Sequence, residues 1–199
     1  MWDYATQLAQ ESQIKTSEIM HKKAMIQRDK NDLVSAASTF IDIGEFMQAI
    51  EILGSHGSFD KLMDLVRRLN KSDTRELQEC ARYFKTAGLT PNLIETLLKL
   101  GDISSLMKVY VESNQWEEAF GLLETHPQFS SEVYLPYADW LSAHDRFMEA
   151  QVYYRKAGQM DAATQVLLKL TLNAVTEQRY EDGTFYILFT CSCVLLLVP

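Results

Sequence analysis

The residues able to do chemistry are few and scattered. Cys191 and Cys193 form a C-x-C pair in "TCSC", a spacing from which two thiolates could grip one soft metal ion. A structural zinc site takes four ligands, yet no further Cys or His follows the pair and Cys80 lies far upstream. Four histidines, His21, His56, His126 and His144, stand singly, without a second ligand at metal spacing. Cys80 falls within the amphipathic stretch "LQECARYFKTAG", which points to a buried thiol behaving as a small hydrophobe. The acids of "EQRYEDG", Glu177 to Gly183, are ordinary at a helix start, where the dipole favours negative charge. No P-loop, dinucleotide fingerprint, nucleophile elbow, HExxH or paired CxxC is present. The expectation is therefore no catalytic, cofactor-binding or metal-binding residue, no cofactor, and no enzyme.

Charge narrows the partners. The chain has 199 residues and a formal net charge of -8. Gripping nucleic-acid phosphates needs clustered Lys and Arg. The densest basic stretches, Lys22-Lys23 and Arg67-Arg68, are flanked by acids or apolar residues and read as solvated helix faces. Nucleic acid is thus not an expected partner. Three cysteines without a framework suit a reducing compartment, with cytosol as the default. The opening "MWDYATQLAQESQ" shows neither part of a secretory signal, so "NKS" at Asn70 reads as a chance match to the glycosylation pattern.

Positioning elements come from a repeated pattern. A large apolar residue is followed three positions later by alanine at Trp2/Ala5, Phe46/Ala49, Trp116/Ala119, Phe147/Ala150 and Met160/Ala163. Positions i and i+3 share a helix face, so each pair makes a knob beside a hollow where another helix can approach. The residues before the anchors are turn chemistry: "IGE", "HGS", "LGD", "SNQ", "HDR" and "AGQ". Gly or Asn ends one helix in the left-handed region and a short polar residue starts the next. Three anchor pairs, 46 to 59, 103 to 116 and 147 to 160, share a thirteen-residue separation, which suits one short helix and its turn. Longer periodic segments, such as that from Ser131, break strict periodicity. Only four prolines and eight glycines argue against a sandwich or barrel.

These features predict an all-α fold, an α-solenoid of degenerate TPR-like helix-turn-helix repeats, in which each hairpin covers its neighbour's apolar face. The motif aromatics are expected to be inter-repeat core, without the clustering a ligand cage would need. The repeat segment is drawn as 1–183 and a divergent apolar tail as 184–199. From Phe185 the tail reads "FYILFTCSCVLLLVP", short of the roughly 20 residues a membrane-spanning helix needs. A tail anchor and a buried segment are two readings; an alternative or prematurely ended terminus is the favoured third. "YEDG" at Tyr180 opens one more repeat, with Gly183 in the alanine slot. The chain is expected to be a slice of something longer.

The block "NDLVSAASTFIDIGEFMQAIEILGSHG", Asn31 to Gly57, with "NQWEEAFGLLETHPQF" and "HDRFMEAQVYYRKAGQMDAATQVL", resembles the helical-repeat region of intraflagellar transport protein 122 homologs. The likeness runs from about Trp2 to about Tyr180. It implies a protein whose β-propellers precede an α-solenoid, in a subunit of intraflagellar transport complex A serving retrograde ciliary transport and membrane-protein trafficking. The partners so implied are other complex A subunits and ciliary cargo adaptors, with no small-molecule substrate and membrane contact only through the 185–199 tail. The implied location is the cilium, its basal body and the cytoplasm. A vesicle coat or tethering subunit uses the same architecture and is the runner-up. The resemblance assigns no individual binding residue; Glu117 and Glu118 are expected to be solvated turn acids.

Overall fold

The computed structural model of the chain describes residues 16–186, and all regular structure among them is helical. Two compact units divide the chain, Met1–Ile103 and Ser104–Pro199. The first holds α1 (Thr16–Asp29), α2 (Leu33–Asp42), α3 (Phe46–His56), α4 (Phe59–Arg68), α5 (Thr74–Thr86) and α6 (Thr90–Leu100). At the boundary begins α7 (Ile103–Glu112), and the second unit continues with α8 (Trp116–Thr125), α9 (Ser130–Ala143), α10 (Phe147–Lys156) and α11 (Met160–Thr176). A short 3-10 turn, Pro127–Phe129, precedes α9, and residues 180–186 are again helical. The fold class is the expected one, TPR-like helical hairpins of the α-solenoid kind, and the predicted anchors Phe46, Phe59, Ile103, Trp116, Phe147 and Met160 are each the first residue of a helix.

One turn recurs at nine helix starts among the described residues. Asn31, Gly44, Gly57, Gly88, Gly101, Asn114, Asp145, Gly158 and Gln178 all have positive φ, and each stands two positions before a helix begins. The residue between donates its backbone N–H to the carbonyl five positions back: Glu45 to Phe40 at 2.9 Å, Gln115 to Tyr110 at 2.8 Å, Arg179 to Ala174 at 2.8 Å. This is the bonding of a Schellman turn, which satisfies carbonyls the helix end leaves orphaned. The polar residue was expected to start the next helix as a cap, and here the structure differs. Glu45, Ser58, Gln115, Arg146 and Gln159 make no side-chain cap bond, whereas Asp32 accepts from the Ser35 N–H at 3.3 Å. What the turn uses at that position is the backbone donor, which any residue but proline supplies.

The turn makes a stability prediction. A side chain in the left-handed region costs roughly 1–2 kcal/mol, and exposed Gln178 sits there at φ 60°. Gln178→Gly should raise the urea midpoint by the equivalent of about 0.5–1 kcal/mol, the entropy of the freer unfolded chain offsetting the rest. Gly158→Gln should move it the other way. A fall with Gln178→Gly would mean that the turn tolerates its side chain.

Packing singles out the small slot more than the anchor. Ala49, Ala119 and Ala150 are fully buried and Ala163 nearly so. Of their anchors Phe147 is buried, Phe46 and Trp116 are half-buried, and Met160 is exposed. The motif aromatics expected in the core are thus buried wholly at Phe147 and in part at Phe46 and Trp116. A residue at the first helical position borders the turn and water; the one a turn further in meets the neighbouring helix. Trp2 and Ala5 lie outside the described residues. In the first unit Phe40, Ile50, Leu53, Leu62, Leu65, Leu77 and Phe84 form the deepest core. In the second, Ala138, Leu141, Phe147, Ala150, Tyr154, Ala163 and Val166 join α9, α10 and α11. The Tyr154 hydroxyl donates to Asp139 at 2.5 Å, and burial first, then that carboxylate, pushes its pKa up to about 12.

Candidate functional site

The reactive side chains are absorbed one by one into local structure. His21 on α1 lies 2.9 Å through Nδ1 from both carboxylate oxygens of Glu45 and edge-on to Phe40, 5.7 Å between centroids. It ties α1 to the turn before α3. His126 pairs with the Thr125 hydroxyl at 2.8 Å, and His144 lies 2.7 Å from the Trp140 carbonyl. His56 is exposed at the end of α3. Cys80 is fully buried; burial, with Glu79 beside it, pushes its thiol up to about 12. A thiol of that acidity stays protonated at neutral pH and is no nucleophile. Arg179 holds two members of the C-terminal acid group, with nitrogens 2.7 Å from Glu177 and 2.8 Å from Asp182. Among the described residues no group of three His, Cys, Asp or Glu could hold a metal ion. Cys191 and Cys193 lie outside the described residues, as does the tail beyond Tyr186. Glu117 and Glu118 are exposed in the first turn of α8.

The sequence shows no aromatic clustering, and the fold supplies it. The aromatics do cluster: Trp116 and Phe120 of α8, Tyr134, Tyr137 and Trp140 of α9, and Tyr153 of α10 interlock. Tyr137 has its centroid 5.0 Å from Trp116, 5.0 Å from Phe120 and 4.7 Å from Tyr153. These are the distances at which rings pack edge-to-face or tilted. Lys156 lies over Tyr153 at 4.8 Å. The rings fill one another's faces, so the cluster is the half-buried packing of three helices. Its one irregularity is the Trp116 indole nitrogen, buried without a hydrogen-bond partner.

The surfaces left over are helix faces. A groove enclosing about 160 Å³ runs between α2 and α4. Val34, Ala37 and Ile41 line it from α2, Leu65 from α4, and Leu53 of α3 from beneath; Lys61, Asp64 and Arg68 stand along α4. In the second unit Leu168, Leu172 and Val175 are exposed, and their spacing places them on one face of α11. No described helix is long and apolar enough to cross a membrane.

Neither groove nor stripe was singled out from the sequence, because their apolar residues recur at the same helical spacing as the core. Only the partner helix tells the two apart. The basic pairs read as solvated are so for Lys22 and Arg68, which are exposed, while Lys23 is half-buried. Arg67, also exposed, is engaged by Glu95 at 3.0 Å and by Asp64 at 3.8 Å.

Comparison with known proteins bears on the whole of this framework. A family model described as "IFT122, TPR domain" matches residues 1–196. The intraflagellar transport protein 122 homolog of Mus musculus is 44% identical over 171 residues, covering 86% of this chain and 14% of that protein. The Xenopus tropicalis homolog is 43% identical over the same coverage, and the Danio rerio homolog 40% identical over 94% of this chain and 16% of its own length. The chain thus spans 14–16% of the length of these curated relatives. A solved structure of MamA matches at a TM-score of 0.36 and 18% identity, covering 89% of this chain and 98% of its own.

Proposed function

The chain belongs to the IFT122 TPR-domain family, and we propose that it acts as a non-catalytic scaffold or adaptor segment of a subunit of the intraflagellar transport A complex. The observation that carries this reading is the family match over residues 1–196, laid on hairpins that leave helix faces open at the α2–α4 groove and along α11. In a repeat array the stacked faces build the core and the outward faces meet partners. The partners are other complex A subunits and ciliary cargo adaptors; the work is retrograde transport, cilium assembly and delivery of ciliary membrane proteins; the place is the cilium, its basal body and the cytoplasm. On this reading the docking faces lie within residues 1–183, and residues 184–199 take no part in docking.

The test is affinity purification of the full chain from ciliated cells, with mass spectrometry of the proteins retained. Complex A subunits should be recovered, and recovered again after truncation at Gly183. Recovery of endosomal or Golgi coat and tethering subunits instead would transfer the chain to a vesicle-coat role. Turnover of a substrate by the pure chain would remove the non-catalytic reading.

A further inference from the structure

We propose that the groove between α2 and α4 docks an acidic amphipathic helix of a partner protein, which seats one large apolar side chain between the two helices and sets carboxylates on Lys61 and Arg68. The proposal deepens the scaffold reading above and rests on it for the existence of a partner. The groove's apolar residues are Val34, Ala37, Ile41, Leu53 and Leu65. Ala37 is itself almost fully buried; with no side chain beyond Cβ, it leaves the depression that a partner side chain can enter. A space of about 160 Å³ is well below the roughly 300–1,000 Å³ of small-molecule sites, yet it suits the single anchor residue on which interfaces concentrate their binding energy.

Charge identifies what flanks that anchor. Lys61 and Arg68 are both exposed on α4, seven residues and therefore about two helical turns apart on one face. Neither has an ion-pair partner among the described residues. Arg67, next to Arg68, is by contrast already held by Glu95 and Asp64. Asp64, the one acid on the groove wall, therefore has a cation of its own, and the rim is left with two uncommitted positive charges on a chain of net charge -8. A helix carrying an apolar residue with a carboxylate one turn before it and another one turn after it spans the same two turns as Lys61 to Arg68. An extended peptide rises about 3.3 Å per residue and has no such one-turn repeat of side chains, so the matching spacing favours a helix.

The probe is a fluorescein-labelled, alanine-rich helical peptide with a central leucine and glutamates one turn to either side, titrated with the full chain by fluorescence anisotropy. Saturable binding is expected. Replacing both glutamates by glutamine, or the chain's pair by Lys61→Glu and Arg68→Glu, should each weaken binding about tenfold or more, the size of a lost charge-assisted contact. Ser38→Trp, which fills the groove from α2, should do the same without altering charge, and Arg75→Glu on α5 should leave binding unchanged. A peptide with lysines in place of the glutamates should prefer the charge-reversed chain. Helical circular dichroism of each variant separates lost binding from lost fold. Absence of saturable binding, equal binding of the glutamate and glutamine peptides, or equal losses with Arg75→Glu would each overturn the proposal. So would a self-association of the chain that Lys61→Glu and Arg68→Glu abolish, since the occupant would then be a second copy. Failure here leaves co-purification with complex A untouched, and failure of co-purification leaves the peptide affinities standing, so the two readings fall separately.

Discussion

Gly54→Ala should lower the stability of the chain by about 1–3 kcal/mol, the usual cost of forcing an extra group into a packed contact. Helix propensity alone predicts the opposite sign, a gain of roughly 0.5–1 kcal/mol, because Gly54 lies inside α3 and not at its end. Packing decides the matter. A Cβ at position 54 would stand 2.5 Å from Cγ of Tyr83 and 2.6 Å from both Cδ atoms, distances that real Cβ atoms do not show. Cγ is bonded to Tyr83's own Cβ, so the ring cannot step aside without changing rotamer or moving α5. Its face is also taken up by the Arg82 guanidinium, 4.4 Å from the centroid. Two comparisons make the result specific. Gly121→Ala in α8, where an added Cβ meets nothing within 4 Å, should stabilise by the propensity gain alone. Gly54→Ala made in a Tyr83→Ala background should also turn stabilising, because residues in contact couple and distant ones add. Urea midpoints for the four variants decide it, and a Gly54→Ala chain more stable than its parent would show that α3 and α5 do not meet there.

The same residue shows what was and was not legible in the sequence. Helix starts were, because a left-handed Gly or Asn followed by a helical register is a local device: "IGE" announces Phe46 without reference to any other part of the chain. Asn31 and Gly88 make the same turn and carry the same signal, but "KND" and "AGL" precede Leu33 and Thr90, neither of which looks like an anchor. Gln178 gives no turn signal at all, since Gln is not a residue that favours positive φ. Gly54, Gly121 and Gly183 lie within helical stretches, and nothing in their immediate neighbours distinguishes a glycine that admits Tyr83 from one that faces open space. That distinction lives in the pairing of α3 with α5. The aromatic cluster has the same origin: Tyr134, Tyr137 and Trp140 mark one face of α9, but their meeting with Phe120 and Tyr153 depends on how α8 and α10 flank it. At the α2–α4 groove the sequence treated Arg67 and Arg68 alike. The fold separates them, giving one to Glu95 and leaving the other on the rim.

Lys99→Met should cost about 1.5–3 kcal/mol, the range for hydrogen bonds to charged groups, although a lysine near a helix end would ordinarily be dismissed as solvated. Its ammonium donates to the Val66 carbonyl at 2.7 Å and to the Arg67 carbonyl at 2.8 Å. Those carbonyls belong to the last turn of α4, which have no intrahelical donor and carry the negative end of its dipole. At nine other helix ends among the described residues a left-handed residue closes the helix, the end of α8 at His126 being the other exception. At α4 no such turn exists: Leu69 is extended, with φ -59° and ψ 151°, and the chain leaves through a longer connection to Thr74. Lys99, reaching across from α6, supplies the missing donors. Methionine keeps the apolar stem and removes only the charge and the donors, so the loss reports the cap and not the packing. The exposed pair Arg67–Glu95 spans the same two helices, but surface ion pairs contribute about 0–1 kcal/mol, so Glu95→Gln should change stability far less. Urea denaturation in low and high salt separates them further. The Glu95→Gln effect should fade as salt screens it, while that of Lys99→Met, whose bond to the Val66 carbonyl is half-buried and that to Arg67 exposed, should persist in larger part. Equal effects of the two substitutions, both vanishing in salt, would reduce the tie between α4 and α6 to surface electrostatics.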